Sequence, residues 1–109
     1  MVLVLVNAPV GGVAAKIARV LVEEDLAACV TSHPVTSTYK WDDKLHIEAE
    51  TTLTIKTTKS TLDALRARVY SLHPYETPEL LVIPIDVNSS SASYVEWVFG
   101  SVKQGNKEQ

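Results

Sequence analysis

The segment from Cys29 to Thr57 constrains the fold more than any other part of the chain. It holds two strand-forming runs, CVTSHPVTSTYKW (29–41) and LHIEAETTLTIKT (45–57), separated by a turn over Asp42, Asp43 and Lys44. The first run is rich in Val, Thr and Tyr, which suit a pleated surface. The second alternates. Leu45, Ile47, Ala49, Leu53 and Ile55 share one side, and His46, Glu48, Glu50, Thr52, Thr54 and Lys56 share the other. So short a connection makes the two runs an antiparallel hairpin. Arms of about 13 residues reach roughly 40 Å when extended, against a usual strand of about 5 to 6 residues. Such a hairpin overhangs a small sheet, and its unpaired backbone groups invite a second chain. Pro34 is predicted to bulge the first arm or to put it on an edge.

The flanking segments complete the pattern. VLVLVNA (2–8) reads as a buried strand, broken by Pro9, Gly11 and Gly12. Val13, Ile17, Val20 and Leu21 then recur at helical spacing. STLDALRARVYSLH (60–73) predicts a second helix, opened by a Ser60–Asp63 pattern close to a capping box and striped by Leu62, Leu65, Val69 and Leu72. Pro74 ends it, because the residue before a proline avoids helical geometry. ELLVIPIDV (79–87) is a further strand, and Tyr94, Trp97 and Val98 mark a short last helix that Gly100 closes. Strand, helix, strand, strand, helix, strand is the order of a split βαβ pair. The predicted fold is α+β, a ferredoxin-like βαββαβ two-layer sandwich with a long hairpin and a short C-terminal helix. One domain is expected over 1–101, followed by a polar, frayed tail over 102–109.

Such a sandwich covers one sheet face with helices, so its strands ought to alternate. VLVLV and LLVIPI are instead apolar on both faces. The second face needs a cover, in part the last helix and in part a partner subunit. Net charge is −3 with no basic run, which excludes a general phosphate-backbone binder. VLVLV also lacks the exposed aromatics of an RNA-recognition sheet. The single cysteine, Cys29, allows no internal disulfide and fits a reducing compartment, so a cytoplasmic location is expected. No apolar run approaches the ~18 residues of a membrane span, and VLVLV is too short for a signal-peptide core. No nucleophile–base pair, P-loop or zinc-spaced cluster appears. An acylphosphatase needs an arginine in its first loop, and NAPVGGVAAK has none. The chain is read as non-enzymatic, with no required cofactor.

The stretch SLHPYETPELL (71–81) concentrates the candidate chemistry. The His73 imidazole suits Cu(II), and Glu76 is the carboxylate placed to turn back across a tight proline loop. The plainer reading makes His73 a helix-terminal residue facing the negative end of the helix dipole, with Pro74 and Pro78 as a rigid connector. His46, Glu48 and Glu50 could chelate a cation across subunits, though a solvated polar face explains them too. Lys56 is placed to pair with Glu79 or to receive an anion. Cys29 reads as a small packing residue, and Tyr39, Trp41 and Trp97 as core or interface anchors.

NAP after the first strand, LAACV, YKWDDK, IKT, HPYETPELL and YVEW occur in this order over residues 2–99. Together they resemble the CutA divalent-cation-tolerance family, similar to trimeric PII-type signalling proteins built edge to edge through long hairpins. The resemblance implies a homotrimer, with His73 and Glu76 as weak ligands for Cu(II) or another divalent cation. It also implies an inter-subunit pocket of Trp41, Lys56, Tyr75 and Glu79, which a regulatory trimer would use for an anionic metabolite. The chain departs from copper-binding members at Leu72 and Val6, where they place a second histidine and a cysteine. It departs again at Asp43, where the family has glycine.

Overall fold

The computed structural model describes residues 1–103. The elements are β1 (Val2–Pro9), α1 (Val13–Glu23), β2 (Cys29–Trp41), β3 (Lys44–Thr57), α2 (Leu62–Leu72), β4 (Leu80–Pro84) and α3 (Ala92–Ser101). They form one four-stranded sheet in the order β2-β3-β1-β4, with every neighbouring pair antiparallel. This is the ferredoxin-like arrangement that the order of the elements predicts.

The core follows strand parity. Val2, Val4, Val6 and Ala8 of β1 lie beside Leu53 and Ile55 of β3, and all are buried. Ile17 and Leu21 of α1 and Leu65 and Val69 of α2 close over them. Each fully buried aliphatic side chain contributes about 1.5–3 kcal/mol. Arg68 ties the two helices together by a forked ion pair to Glu24, with N–O distances of 2.9–3.1 Å. That guanidinium holds the Glu24 carboxyl below its ordinary range.

The opposite face of the sheet is only partly covered. Leu81 and Ile83 of β4 stand exposed on it. Tyr94 of α3 lies by Cys29 at one end of this face, where burial and the Cys29 sulfur push the phenol pKa up. Val98 and Phe99 are buried outside the principal core cluster, while Tyr94 and Trp97 remain exposed. Cys29 is half-buried.

The hairpin overhangs as expected. β1 pairs with β3 only as far as Pro9–Glu50, and beyond that β3 has β2 alone. Asp42 and Asp43 make its turn with φ of 53° and 61°, the left-handed pair that a two-residue hairpin requires. Pro34 makes no bulge, since the β2–β3 register runs unbroken through Pro34–Thr51 on an edge strand.

Three local expectations are corrected. Ser60 and Asp63 form no capping box. A 3-10 turn over Lys59–Thr61 precedes α2, Thr61 Oγ1 donates to the Thr58 carbonyl, and Asp63 pairs with Arg66. Gly100 does not close α3, which runs one residue further. The expected tail begins late: Val102 is buried and the Lys103 N–H donates to the Asp25 carbonyl at 2.8 Å. The rest of that tail, 104–109, lies outside the described residues.

Candidate functional site

His73 is the C-cap of α2. Its N–H donates to the Val69 carbonyl at 2.9 Å, and its ψ of 133° is the extended geometry that Pro74 imposes. The residue is buried, at 8% exposure. Nε2 lies 2.7 Å from the carbonyl of Asn7 at the end of β1. A carbonyl can only accept, so Nε2 carries the hydrogen. Nδ1 accepts the Tyr75 N–H at 3.2 Å. Both ring nitrogens are therefore engaged in the protomer, and as a copper ligand His73 has to give up one of these two bonds. The residue fastens the connector 73–79 to β1.

The connector then curls over the open face of the hairpin and builds a groove of about 860 Å³. One wall is Pro74, Tyr75, Glu76, Thr77 and Glu79. The floor comes from the hairpin. The short turn pairs Trp41 with Lys44 and Tyr39 with His46, which places Tyr39, Trp41, His46, Glu48 and Glu50 on one face. Asn7 of β1 closes the inner end, its Oδ1 accepting from Thr52 Oγ1 at 2.7 Å.

The groove is acidic. Glu48, Glu50, Glu76 and Glu79 line it, and no lysine or arginine does. The Tyr39 hydroxyl donates to Glu48, and its ring stacks on His46 at 5.2 Å and 13°. The carboxylate neighbour raises the Tyr39 phenol pKa. Tyr75 Oη donates to Glu50 Oε2 at 2.9 Å. Burial of that hydroxyl, then the bond to Glu50, pushes its pKa up to about 12. Burial, then the charge of Glu50, raises the Glu79 carboxyl.

Of the residues expected to share a pocket, the structure gathers Trp41, Tyr75 and Glu79 and adds Glu76. It leaves Lys56 out. That side chain stands six residues from Glu50 along β3, roughly 20 Å away, with Nζ 3.2 Å from Thr31 Oγ1. It makes no ion pair with Glu79 in the protomer. Glu50 is the residue that sequence reasoning undervalued. Its place on the polar side of β3 suggests either a solvated face or a chelating one, yet it is 7% exposed. The turn expected over Asp42, Asp43 and Lys44 hides this, whereas the structure makes the turn with Asp42 and Asp43 alone and the resulting register puts Tyr39, Trp41 and Glu50 on one face. Among the described residues no group of three His, Cys, Asp or Glu side chains converges to hold a metal ion. None of the described helices is long and apolar enough to cross a membrane.

Comparison with known proteins agrees with this architecture. Residues 2–101 match the family model described as CutA1 divalent ion tolerance protein. A divalent-cation tolerance protein CutA from Thermus thermophilus is 41% identical over 96 residues, covering 87% of this chain and 91% of that protein. The solved PII-like protein CutA from Nostoc sp. superposes with a TM-score of 0.89 at 41% identity, over 94% of this chain and 98% of that one. A CutA from Archaeoglobus fulgidus, described as periplasmic, superposes with a TM-score of 0.88 at 30% identity, over 94% and 100%.

Proposed function

The chain belongs to the CutA1 divalent ion tolerance family, and from that premise we propose that it acts as a non-enzymatic homotrimer that holds a divalent cation weakly in the hairpin groove. One observation carries the reading: four carboxylates and a histidine face a common cavity that no lysine or arginine of the protomer lines. Like charges in a partly desolvated groove repel one another, and an arriving cation relieves them. His46 and Glu76 are the donors we assign first. The His46 ring nitrogens make no hydrogen bond among the described residues, unlike those of His73. Since donors do not converge into a cage, the residues fit a hydrated, loosely held ion, Cu(II) included.

The trimer is supported by the exposed Leu81 and Ile83 and by the overhanging hairpin. Lys56 reaches a groove only from a neighbouring subunit, and a pocket for an anionic metabolite depends on that arrival. The acid lining of the protomer favours the cation. We place the protein in the cytoplasm on the strength of its single cysteine, although the Archaeoglobus relative is described as periplasmic; fractionation of the native cells decides between the two.

The test is a Cu(II) titration of wild type, His46→Ala, Glu76→Gln and His73→Ala. The first two variants are expected to bind more weakly. His73→Ala, with its fold intact by circular dichroism, is expected to bind as wild type does. Affinity falls with pH in every variant that retains the site, because protons and metal compete for the same lone pairs. Loss of binding in His73→Ala alone returns the site to the connector and ends the groove reading.

A further inference from the structure

The chain after β4 ties together the two edges of the sheet. Those edges are β4 and β2. Ile85 leaves β4 with its N–H donating to the Met1 carbonyl. Lys103 arrives at the other edge, where its N–H donates to the Asp25 carbonyl at 2.8 Å just before β2. Residues 86–103 therefore cross three inter-strand spacings along one end of the sheet, about 14 Å at roughly 4.8 Å each. On the way the Tyr94 hydroxyl lies against the Cys29 sulfur.

The fastening at the far end is small. Among the described residues, the Lys103–Asp25 bond is the one backbone hydrogen bond from 86–103 to another part of the molecule. Val102 beside it is buried and extended, with φ of −116° and ψ of 158°. The corner that receives the segment belongs to the sandwich. Asp25 ends α1 with a left-handed φ of 58°, its N–H on the Val22 carbonyl and the Leu26 N–H on the Leu21 carbonyl. Thr57 Oγ1 donates to the Leu26 carbonyl at 2.7 Å, and the Ala28 N–H to the Lys56 carbonyl at 2.9 Å. The corner lies between the helix layer and the sheet, away from the open face.

α3 depends on that fastening. It has 10 residues, and a lone helix shorter than about 12 residues is marginal in water. Ser91 at its N-cap makes no side-chain capping bond, and its first turn holds no acid. Val98 and Phe99 are buried outside the principal core cluster. Helix formation, the burial of Val98, Phe99 and Val102, and the bond to Asp25 therefore stand or fall together. A segment with so few ties opens at a lower free energy than the core it leaves.

We infer that residues 86–103 form a strap that unfastens from the Asp25 corner as one unit, with α3 melting, while the sandwich stays folded. Val102 and Lys103 are its catch. Fastened, the strap holds Tyr94 over Cys29. Unfastened, it opens the Cys29 end of β2 to solvent. The inference does not depend on what the groove binds.

The test times the alkylation of Cys29, the single cysteine, by iodoacetamide on the assembled protein without denaturant, read by mass spectrometry. Wild type is expected to react more slowly than the urea-unfolded chain. Val102→Ala is expected to react about tenfold faster than wild type, through the lost burial. Lys103→Pro removes the donor, and the extended Val102 already suits a following proline. It is expected to react about fivefold faster. Leu65→Ala, in the core between α2 and the sheet, is expected to lower the urea midpoint and leave the alkylation rate as in wild type. Ile17→Val serves the same comparison should Leu65→Ala fail to fold. A rate that rises with the core variant as it does with the catch variants means that the thiol is reached only by global unfolding, and overturns the inference. So does a wild-type rate equal to that of the unfolded chain, and so does a rate that neither catch variant changes.

Discussion

The two halves of β3 carry the same alternation and meet opposite fates. Leu53 and Ile55 are fully buried, whereas Leu45 and Ile47, on the same side of the same strand, are 64% and 65% exposed. The difference lies in what stands over them. The half from Glu50 to Thr57 has β1 beside it and α1 and α2 across it. The half from Lys44 to Ala49 has only β2, because β1 ends at Pro9. A two-stranded ribbon is marginal by itself. The polar side of β3 shows the reverse contrast. There Lys56, in the body, meets Thr31, while Glu50, at the boundary of the overhang, is buried under Tyr75. Periodicity therefore specifies which residues share a side, and only neighbouring elements specify which side is dry.

The largest expected effect breaks this contrast directly. Leu53→Ala leaves a cavity under α1 and α2 and is expected to cost about 2–5 kcal/mol in denaturant unfolding. Ile47→Ala changes no packing within the protomer, so its intrinsic cost stays within about 0.5 kcal/mol. Its expected consequence is on assembly: the secondary structure persists while the mass by light scattering falls on dilution. Equal unfolding costs for the two variants would place the tip and the body in one packed environment, against the geometry described above.

A smaller effect concerns the tip. Asp43 has a φ of 61°, a region where residues with a side chain are strained and glycine is not. Asp43→Gly is expected to raise stability by up to about 1 kcal/mol, read as a higher urea midpoint. A lower midpoint would mean that the Asp43 side chain makes a contact worth more than the backbone relief.

The smallest effect belongs to the junction between the halves. Burial, then Glu50, raises the folded-state pKa of Glu79 above its ordinary 4.5. A raised acid favours the protonated form in the folded state, so its ionisation opposes folding. The contribution is most favourable below the unfolded value of 4.5 and is lost as pH rises through the higher folded value. Glu79→Gln is therefore expected to stabilise slightly near neutral pH, with the gain vanishing as pH falls below 4.5. Urea midpoints at a series of pH values check this. A gain that grows on acidification would reverse the sign of the assigned interaction.

Much of the fold was legible in the chain. Parity in β1 and β3 and the helical stripe of Leu65 and Val69 concern residues close in sequence, and each sits where local geometry requires; the turn, expected over Asp42–Lys44, is one residue shorter. The overhang was legible for the same reason, since arm length is a local property. The site was legible only in part. Trp41, Tyr75 and Glu79 do share a groove, and Glu76 joins them. Lys56 does not join them within the protomer, where the strand's length carries it to the far end of the face.

What the amino-acid sequence determined by itself was the order of elements, the face of each strand and the membership of the CutA1 family. These depend on short-range stereochemistry and on motifs read in order. The tertiary structure decided the chemistry of the connector. It holds the His73 ring against a carbonyl 66 residues away, that of Asn7. Glu50 passed from a solvated face to a buried carboxylate when Tyr75 folded over it. Both outcomes turn on hydrogen-bond partners brought together by the crossing of chain segments, which no local pattern encodes.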